Sequence, residues 1–263
     1  MKIRYCVATL NQLEWVLDNH LPSVNQQAIQ GIHIHFSEYT EQRYRNQKVG
    51  DVHTVAPFLF FLDSADVPVK VTQSESNLGV APSWNLFVRS AIEDGYDAVV
   101  IANDDIILYT ESLERLVKAL EESPFVCFSK EDNMFSLFGM HTALWINVGQ
   151  FDENFWPAYY EDNDYHYRMK LVKITPFELS GPSYYHRGSA TINTFNLERI
   201  QMHHHNFNKN TKYYVSKWGG LPDAETYTHP FNGAKDYGHD VHRSLNDQLE
   251  RDFQTFARSG EEV

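Results

Sequence analysis

The 263-residue chain has only two cysteines, Cys6 and Cys127. They stand far apart in apolar, strand-like runs, which reads as two buried thiols and excludes a disulfide scaffold. No apolar run approaches the roughly 18 residues needed to span a bilayer. A signal-peptide pattern is also missing, because Met1-Lys2-Ile3-Arg4-Tyr5 enters a strand directly. The expectation is a cytoplasmic protein with no membrane segment. Positive charge is scarce: 22 Lys and Arg face 35 Asp and Glu, for a formal net charge of −13. That argues against nucleic-acid binding through the whole surface and leaves room for a local basic patch. Internal repeats and low-complexity tracts are absent.

What is present is a core. Hydrophobic residues make up 42% of the chain, enough for one large domain or one domain with an extension. The 15 Tyr, 17 Phe and 5 Trp are a high aromatic content, and core packing accounts for most such residues. Periodicity predicts strands over 3–9, 31–36, 67–71, 97–102, 125–129 and 173–179. Helices are predicted over 13–20, ended by Pro22, from about 82 to Gly95, over 111–122 and 142–148, and from about 161 to 170. Residues 39–50 read as a polar loop, and 52–62 fit helix or strand equally. The alternation of strand and helix gives an α/β fold with a mainly parallel sheet. From about residue 197 aliphatics thin out, and the tail reads as a helical and irregular extension.

One stretch carries the most chemistry. Asp97-Ala98-Val99-Val100-Ile101-Ala102 runs into Asn103-Asp104-Asp105. Ligands of open α/β sheets bind beyond the carboxyl ends of strands, and paired carboxylates there can hold a divalent cation and, through it, a phosphate. The same three residues also suit a polar turn. Further along stand Glu161, Asp162 and Asp164 at a predicted helix start, and His186 in a predicted loop. Two acidic clusters and an imidazole suit Mn²⁺ or Mg²⁺ with a separate base. Helix capping and an i, i+4 pair between Asp164 and Arg168 explain the second cluster equally well. His203-His204-His205 is read as surface, since adjacent histidines do not share a helix face.

Order and spacing add to this. Asn77-Leu78-Gly79, then Asn85, then the strand ending Asn103-Asp104-Asp105 resemble the NxG segment and DXD motif of GT-A glycosyltransferases of family 2. Phe151-Asp152-Glu153 with Phe155 resembles the segment before that family's ED motif. Glu161-Asp162-Asn163-Asp164-Tyr165 with Arg168 resembles the EDxDxxxR pattern itself. The similarity covers roughly residues 1–190.

The resemblance implies a GT-A fold, Rossmann-like and flanked by helices. The catalytic domain would be 1–196, with a nucleotide-sugar half to about 105 and an acceptor half after it, followed by the extension 197–263. It implies a nucleotide-sugar donor (UDP by default), Mn²⁺ or Mg²⁺, and inverting transfer of a hexose or pentose. Carried over by position, Asp162 is the catalytic base and Glu161 supports it. Asp105 and His186 are metal ligands. Thr9, Asn11, Asn77, Gly79, Asn85, Asn103 and Asp104 bind the donor. Asp164, Trp156 and Arg187 hold or support the acceptor. Asn103 departs from the pattern, as many members carry an acid there. The second strand ends Phe36-Ser37-Glu38 instead of in the Asp that often reads the base, so Ser37 or Glu38 would substitute. The acceptor stays open: a glycan, a small molecule or a modified DNA base. The tail around Lys209, Lys212, Lys217, Tyr213, Tyr214 and Trp218 lacks acids from 203 to 221. It reads as a flap, as a surface for a phosphate-rich acceptor, or as aromatics packed on the core. It motivates an alternative, a viral-type enzyme glycosylating hydroxymethylated bases in the host cytoplasm. A second alternative is a noncatalytic sugar- or nucleotide-binding module.

Overall fold

A computed structural model describes residues 1–10, 12–37, 64–74, 76–128, 134–181, 183–188 and 197–233, with side chains from 204 in the last stretch. The ambiguous 52–62, the loop 39–50, Asn11 and Glu38 lie outside the described residues.

Among the described residues a seven-stranded sheet has the order β3-β2-β1-β4-β7-β6-β8. Its strands are β1 (Ile3–Leu10), β2 (Gly31–Ser37), β3 (Val69–Ser74), β4 (Ala98–Ala102), β6 (Phe125–Phe128), β7 (Leu137–His141) and β8 (Phe177–Leu179). β1, β2, β3 and β4 are parallel to one another, β8 is parallel to β6, and β7 is antiparallel to both neighbours. The mainly parallel α/β sheet is therefore as expected. β5 (Ile106–Leu108) and β9 (Tyr184–His186) form a separate antiparallel pair.

Both faces of the sheet are covered, which is why its central strands read as unbroken apolar runs. Ile3, Tyr5, Val7, Ala98, Val100 and Ala102 point to one face. There they meet Val16, Leu17 and Leu21 from the first helical segment and Leu113, Leu116 and Leu120. That segment begins as α1 (Leu13–Trp15), widens to a π-turn (Val16–His20) and tightens over Leu21–Ser23. Leu113 and Leu116 belong to α3 (Ser112–Ala119). Cys6, Val99 and Ile101 face the other way, against Trp84, Phe87, Val88 and Ala91 of α2 (Val80–Glu93), Leu144 and Trp145 of α4 (Thr142–Val148), and Tyr165 and Met169 of α5 (Glu161–Leu171). Both cysteines are buried and free, as expected.

β7 was not expected from the sequence, because Gly139 weakens a strand pattern. The structure gives the glycine a reason. A Cβ at Gly139 would lie 2.6 Å from Leu116 Cδ2 and 2.7 Å from Leu120 Cδ1. Its absence lets α3 and the residue after it settle on the strand. The tail forms α6 (Leu197–Trp218), joined to the body through a third cluster of Phe155, Tyr214 and Trp218. No helix among the described residues is long and apolar enough to cross a membrane.

Candidate active site

The parallel direction of β1 to β4 brings their carboxyl ends to one edge of the sheet, so Thr9, Ser37, Ser74 and Asn103-Asp104-Asp105 lie along it. α2 begins at the same edge, because it follows β3 after a short link. Thr9 is buried, and its Oγ1 donates to Asp104 Oδ2 at 2.8 Å. It therefore holds the acid that it was expected to accompany at the donor. Burial pushes the Asp104 carboxyl up to about 7; the Thr9 hydrogen bond and backbone groups of Leu10 and Asp104 pull it down, and the charge of Asp105 pushes it up further. Asn103 is turned toward β7: its Nδ2 donates to Ser136 Oγ at 3.3 Å and its backbone N–H to Ser136 O at 2.9 Å.

Asp105 and His186 are brought together from 81 positions apart, with Oδ1 and Nε2 3.1 Å from one another. The β5–β9 ladder does this, since Ile106 is the register partner of His186. Arg187 continues it: its backbone N–H donates to Asp105 O at 2.8 Å, and its guanidinium lies over the Trp15 ring, 5.5 Å from the centroid. His20 fixes the next residue, with Nδ1 2.7 Å from Ile106 O and Nε2 2.9 Å from Tyr5 OH. A carbonyl only accepts, so Nδ1 carries the proton and Nε2 accepts from Tyr5.

Three residues expected at the donor make contacts within the protein. Asn85 is fully buried, and all of its amide is engaged within the protein. Nδ2 donates to Phe151 O and Glu153 Oε1, both at 2.9 Å; Oδ1 accepts from Trp145 Nε1 at 3.0 Å and Phe151 N at 2.9 Å. Two donors and two acceptors are the full capacity of the group, so Asn85 braces the 151–153 loop and has nothing left for a donor. Gly79 has φ +86°, and a Cβ there would fall 2.8 Å from Trp156 Cδ1 and 2.9 Å from Pro157 O. Its free space is already taken by protein. The first helix N–H beyond it, that of Val80, donates to Pro157 O at 2.8 Å. Asn77 Oδ1 accepts from Gly79 N, and its carbonyl accepts from Trp156 Nε1. Residues 77–80 thus form a socket for Trp156 and Pro157. This socket ties the approach to α5 to the same sheet edge.

α5 opens with the second acidic cluster. Tyr159 and Tyr160 precede it at φ +77° and +74°, a left-handed pair that costs non-glycine residues about 1–2 kcal/mol each. Glu161 is buried, and its Oε2 has no hydrogen-bond partner among the described residues. Burial, with Asp162 and Asp164 adding, holds its carboxyl well above the usual range, while its own backbone N–H opposes this. Asp162 is the more exposed of the two, and its Oδ1 accepts from Asn163 N at 2.8 Å. Asp164 is fully buried. Its Oδ2 accepts from Arg168 Nε at 2.8 Å, the expected i, i+4 pair.

The other Asp164 oxygen belongs to a clasp that sequence reasoning missed. Asp164 Oδ1 accepts from Trp218 Nε1 at 2.8 Å and from Lys217 Nζ at 2.6 Å. The same Nζ reaches Asp152 Oδ2 at 2.6 Å, where Tyr213 OH also donates at 2.9 Å. Asn154 donates twice to Asp152 Oδ1. Burial pushes the Asp152 carboxyl up, but the charge of Lys217 and the hydrogen bonds from Lys217, Asn154 and Tyr213 hold it well below the usual range. Lys217, Tyr213, Tyr214 and Trp218 are thus packed on the body, the third of the expected readings for the tail. The signal that could have found the clasp is the helical stripe Asn206, Asn210, Tyr213, Tyr214 and Lys217. His204 and His205 are exposed, as expected.

No protein-family model matches the chain, and no curated protein matches it. Solved structures do. S. aureus TarS 1–349 aligns with a TM-score of 0.51 and 18% identity over 71% of this chain and 60% of that one. The mannosyltransferase PcManGT from Pyrobaculum calidifontis, in complex with GDP-Man and Mn²⁺, aligns with 0.51 and 14% identity over 80% of this chain and 64% of that one. GalNAc-T7, with UDP, GalNAc and Mn²⁺, aligns with 0.54 and 9% identity over 82% of this chain and 50% of that one. The chain accordingly spans less than two thirds of each of these proteins. At such identities the likeness is one of fold: this chain has the α/β fold of the GT-A glycosyltransferases.

Proposed function

We propose that the chain is a nucleotide-sugar-dependent glycosyltransferase that moves a hexose or pentose to an acceptor hydroxyl with inversion. The observation that carries this reading is a coincidence at one sheet edge. The Thr9–Asp104 pair lies at the carboxyl ends of the central strands β1 and β4 of a GT-A fold, the β5–β9 pair brings His186 to the neighbouring Asp105, and the Gly79 socket binds the approach to Glu161-Asp162 to that edge. UDP is the default nucleotide. Asp104 meets the donor's ribose or sugar.

A carboxylate facing an imidazole suits Mn²⁺ or Mg²⁺. Among the described residues no group of three or more ligating side chains exists. The protein would thus offer Asp105 and His186, with diphosphate oxygens and water completing the shell. Bound there, the ion would neutralise charge developing on the diphosphate leaving group. Asp162 takes the proton of the acceptor hydroxyl. The freed oxygen bonds to the anomeric carbon as the bond from that carbon to the diphosphate breaks on the opposite face. Burial holds the Glu161 carboxyl well above its usual range, which favours its protonated form and leaves the role of base to the more exposed Asp162. The DNA-base alternative is weakened, since Lys217 is a buried ion-pair partner and not a surface cation.

A thermal-shift screen of nucleotide sugars with and without Mn²⁺ tests the reading. A donor present at 100 times its Kd should add about 2.7 kcal/mol of stability. One donor should stabilise the chain in the presence of Mn²⁺ and release nucleoside diphosphate on turnover. No stabilisation by any nucleotide sugar would overturn the proposal, and stabilisation without turnover would favour the noncatalytic module.

A further inference from the structure

The tail helix grips the left-handed turn in front of α5 through one side chain. Asn210 is fully buried, and its Nδ2 donates to the carbonyl oxygens of Ala158 at 2.9 Å and Tyr159 at 3.2 Å. Both partners only accept, so the amide nitrogen has to face them. Its Oδ1 has no hydrogen-bond partner among the described residues. Asn210 is therefore used for its two donors. Around it, Thr211 Oγ1 donates to Phe207 O at 2.9 Å and accepts from Tyr160 OH at 3.1 Å, and the Phe207 ring packs against Tyr159 and Tyr160 at 5.3 Å and 5.6 Å. Tyr160 caps α5, and its carbonyl accepts from Asp164 N at 2.9 Å. Two successive non-glycine residues stay left-handed only when outside contacts over-determine them, and α6 supplies contacts to both.

We infer that Asn210 is a positioning residue for Asp162: by bridging the two carbonyls it fixes the turn from which α5 projects that carboxylate. This rests on the reading of Asp162 as the base. A tail that merely covered the core would not do this: Asn210 holds backbone three and four residues before the reacting group.

The test uses the full chain with Asn210→Asp, which keeps the shape but sets a carboxylate against two carbonyls, and Asn210→Leu, which removes the donors at similar volume. kcat and the donor KM are measured with the donor found by the screen, and amide hydrogen exchange is followed over residues 158–164. The expected result is a kcat lowered about 10- to 100-fold, as for a small misplacement of a reacting group. Donor KM should be unchanged, and exchange should be faster at 161–164 but unaltered around Lys217. Unchanged kcat in both variants of an active enzyme overturns the inference. So does a parallel loss of kcat, donor binding and global stability. Should the wild-type chain transfer no sugar, the reading of Asp162 fails, and exchange alone decides: unaltered amides over 158–164 overturn the positioning role, and faster ones uphold it.

Discussion

Lys217→Met keeps most of the volume of the side chain and removes its charge. In the native chain Nζ stands 2.6 Å from both Asp152 Oδ2 and Asp164 Oδ1, and all three residues are buried. Breaking a buried ion pair from one side costs about 3–5 kcal/mol, because a charge is left without its partner. Here each acid retains other donors: Tyr213 and Asn154 at Asp152, Trp218 and Arg168 at Asp164. They place the loss at the lower end, about 3 kcal/mol, against a typical total of about 5–15 kcal/mol. Urea unfolding at pH 7 reads this directly. The pH dependence has a definite sign. The folded pKa of Asp152 is lowered, so its contribution is present above its unfolded value of about 4 and is lost as pH falls toward the folded value. Without Lys217 the effect of burial prevails and the folded pKa rises. Protonation then relieves the unpaired charge, and the gap between variant and wild type narrows from pH 7 to 4. Asp152→Asn added to Lys217→Met should recover part of the loss. A loss under about 1 kcal/mol, the range of an exposed pair, or a gap independent of pH, would refute the clasp.

Two other predictions concern the sheet edge and the core. Asp105→Ala should weaken Mn²⁺-dependent donor binding roughly 10- to 100-fold while leaving metal-independent binding in place; calorimetry with and without Mn²⁺ compares them. Buried His20, His33 and His35 are pushed down by burial to about 4, 3 and 4. Their folded pKa values lie below the unfolded 6.5, so the stability they permit is full above pH 6.5 and falls as pH drops toward 4. Asp104 and Glu161, whose folded pKa values are raised, act in the opposite direction above about pH 4.5. NMR of the imidazoles at pH 5 should show these three rings neutral. Protonation of His20 with a pKa near 6.5 would contradict its buried tautomer.

What the sequence disclosed follows from burial. Residues 98–102 were readable because a strand covered on both faces is apolar throughout. The amphipathic stripes of α2 and α3 were readable because each helix is covered on one face. β7 was hidden by Gly139, whose missing side chain matters only once Leu116 and Leu120 are beside it. β5 and β9 span three residues each, too short for periodicity, yet they bring His186 to Asp105. Asn85 shows a different limit. An amide suits a ligand and a loop brace equally, and only the neighbours at Trp145, Phe151 and Glu153 decide. Asn210 and Lys217 act over more than 50 positions of sequence, on partners that no local pattern names.

The role of Asp162 is tested most directly by measuring donor affinity and transfer rate in the same Asp162→Asn preparation. Loss of a general base lowers the rate about 10²- to 10⁴-fold, and in the proposed reading the side chain takes no part in holding the nucleotide. The expected result is native donor binding with transfer reduced by at least about 100-fold. Transfer at the wild-type rate would contradict the assignment of Asp162 as base.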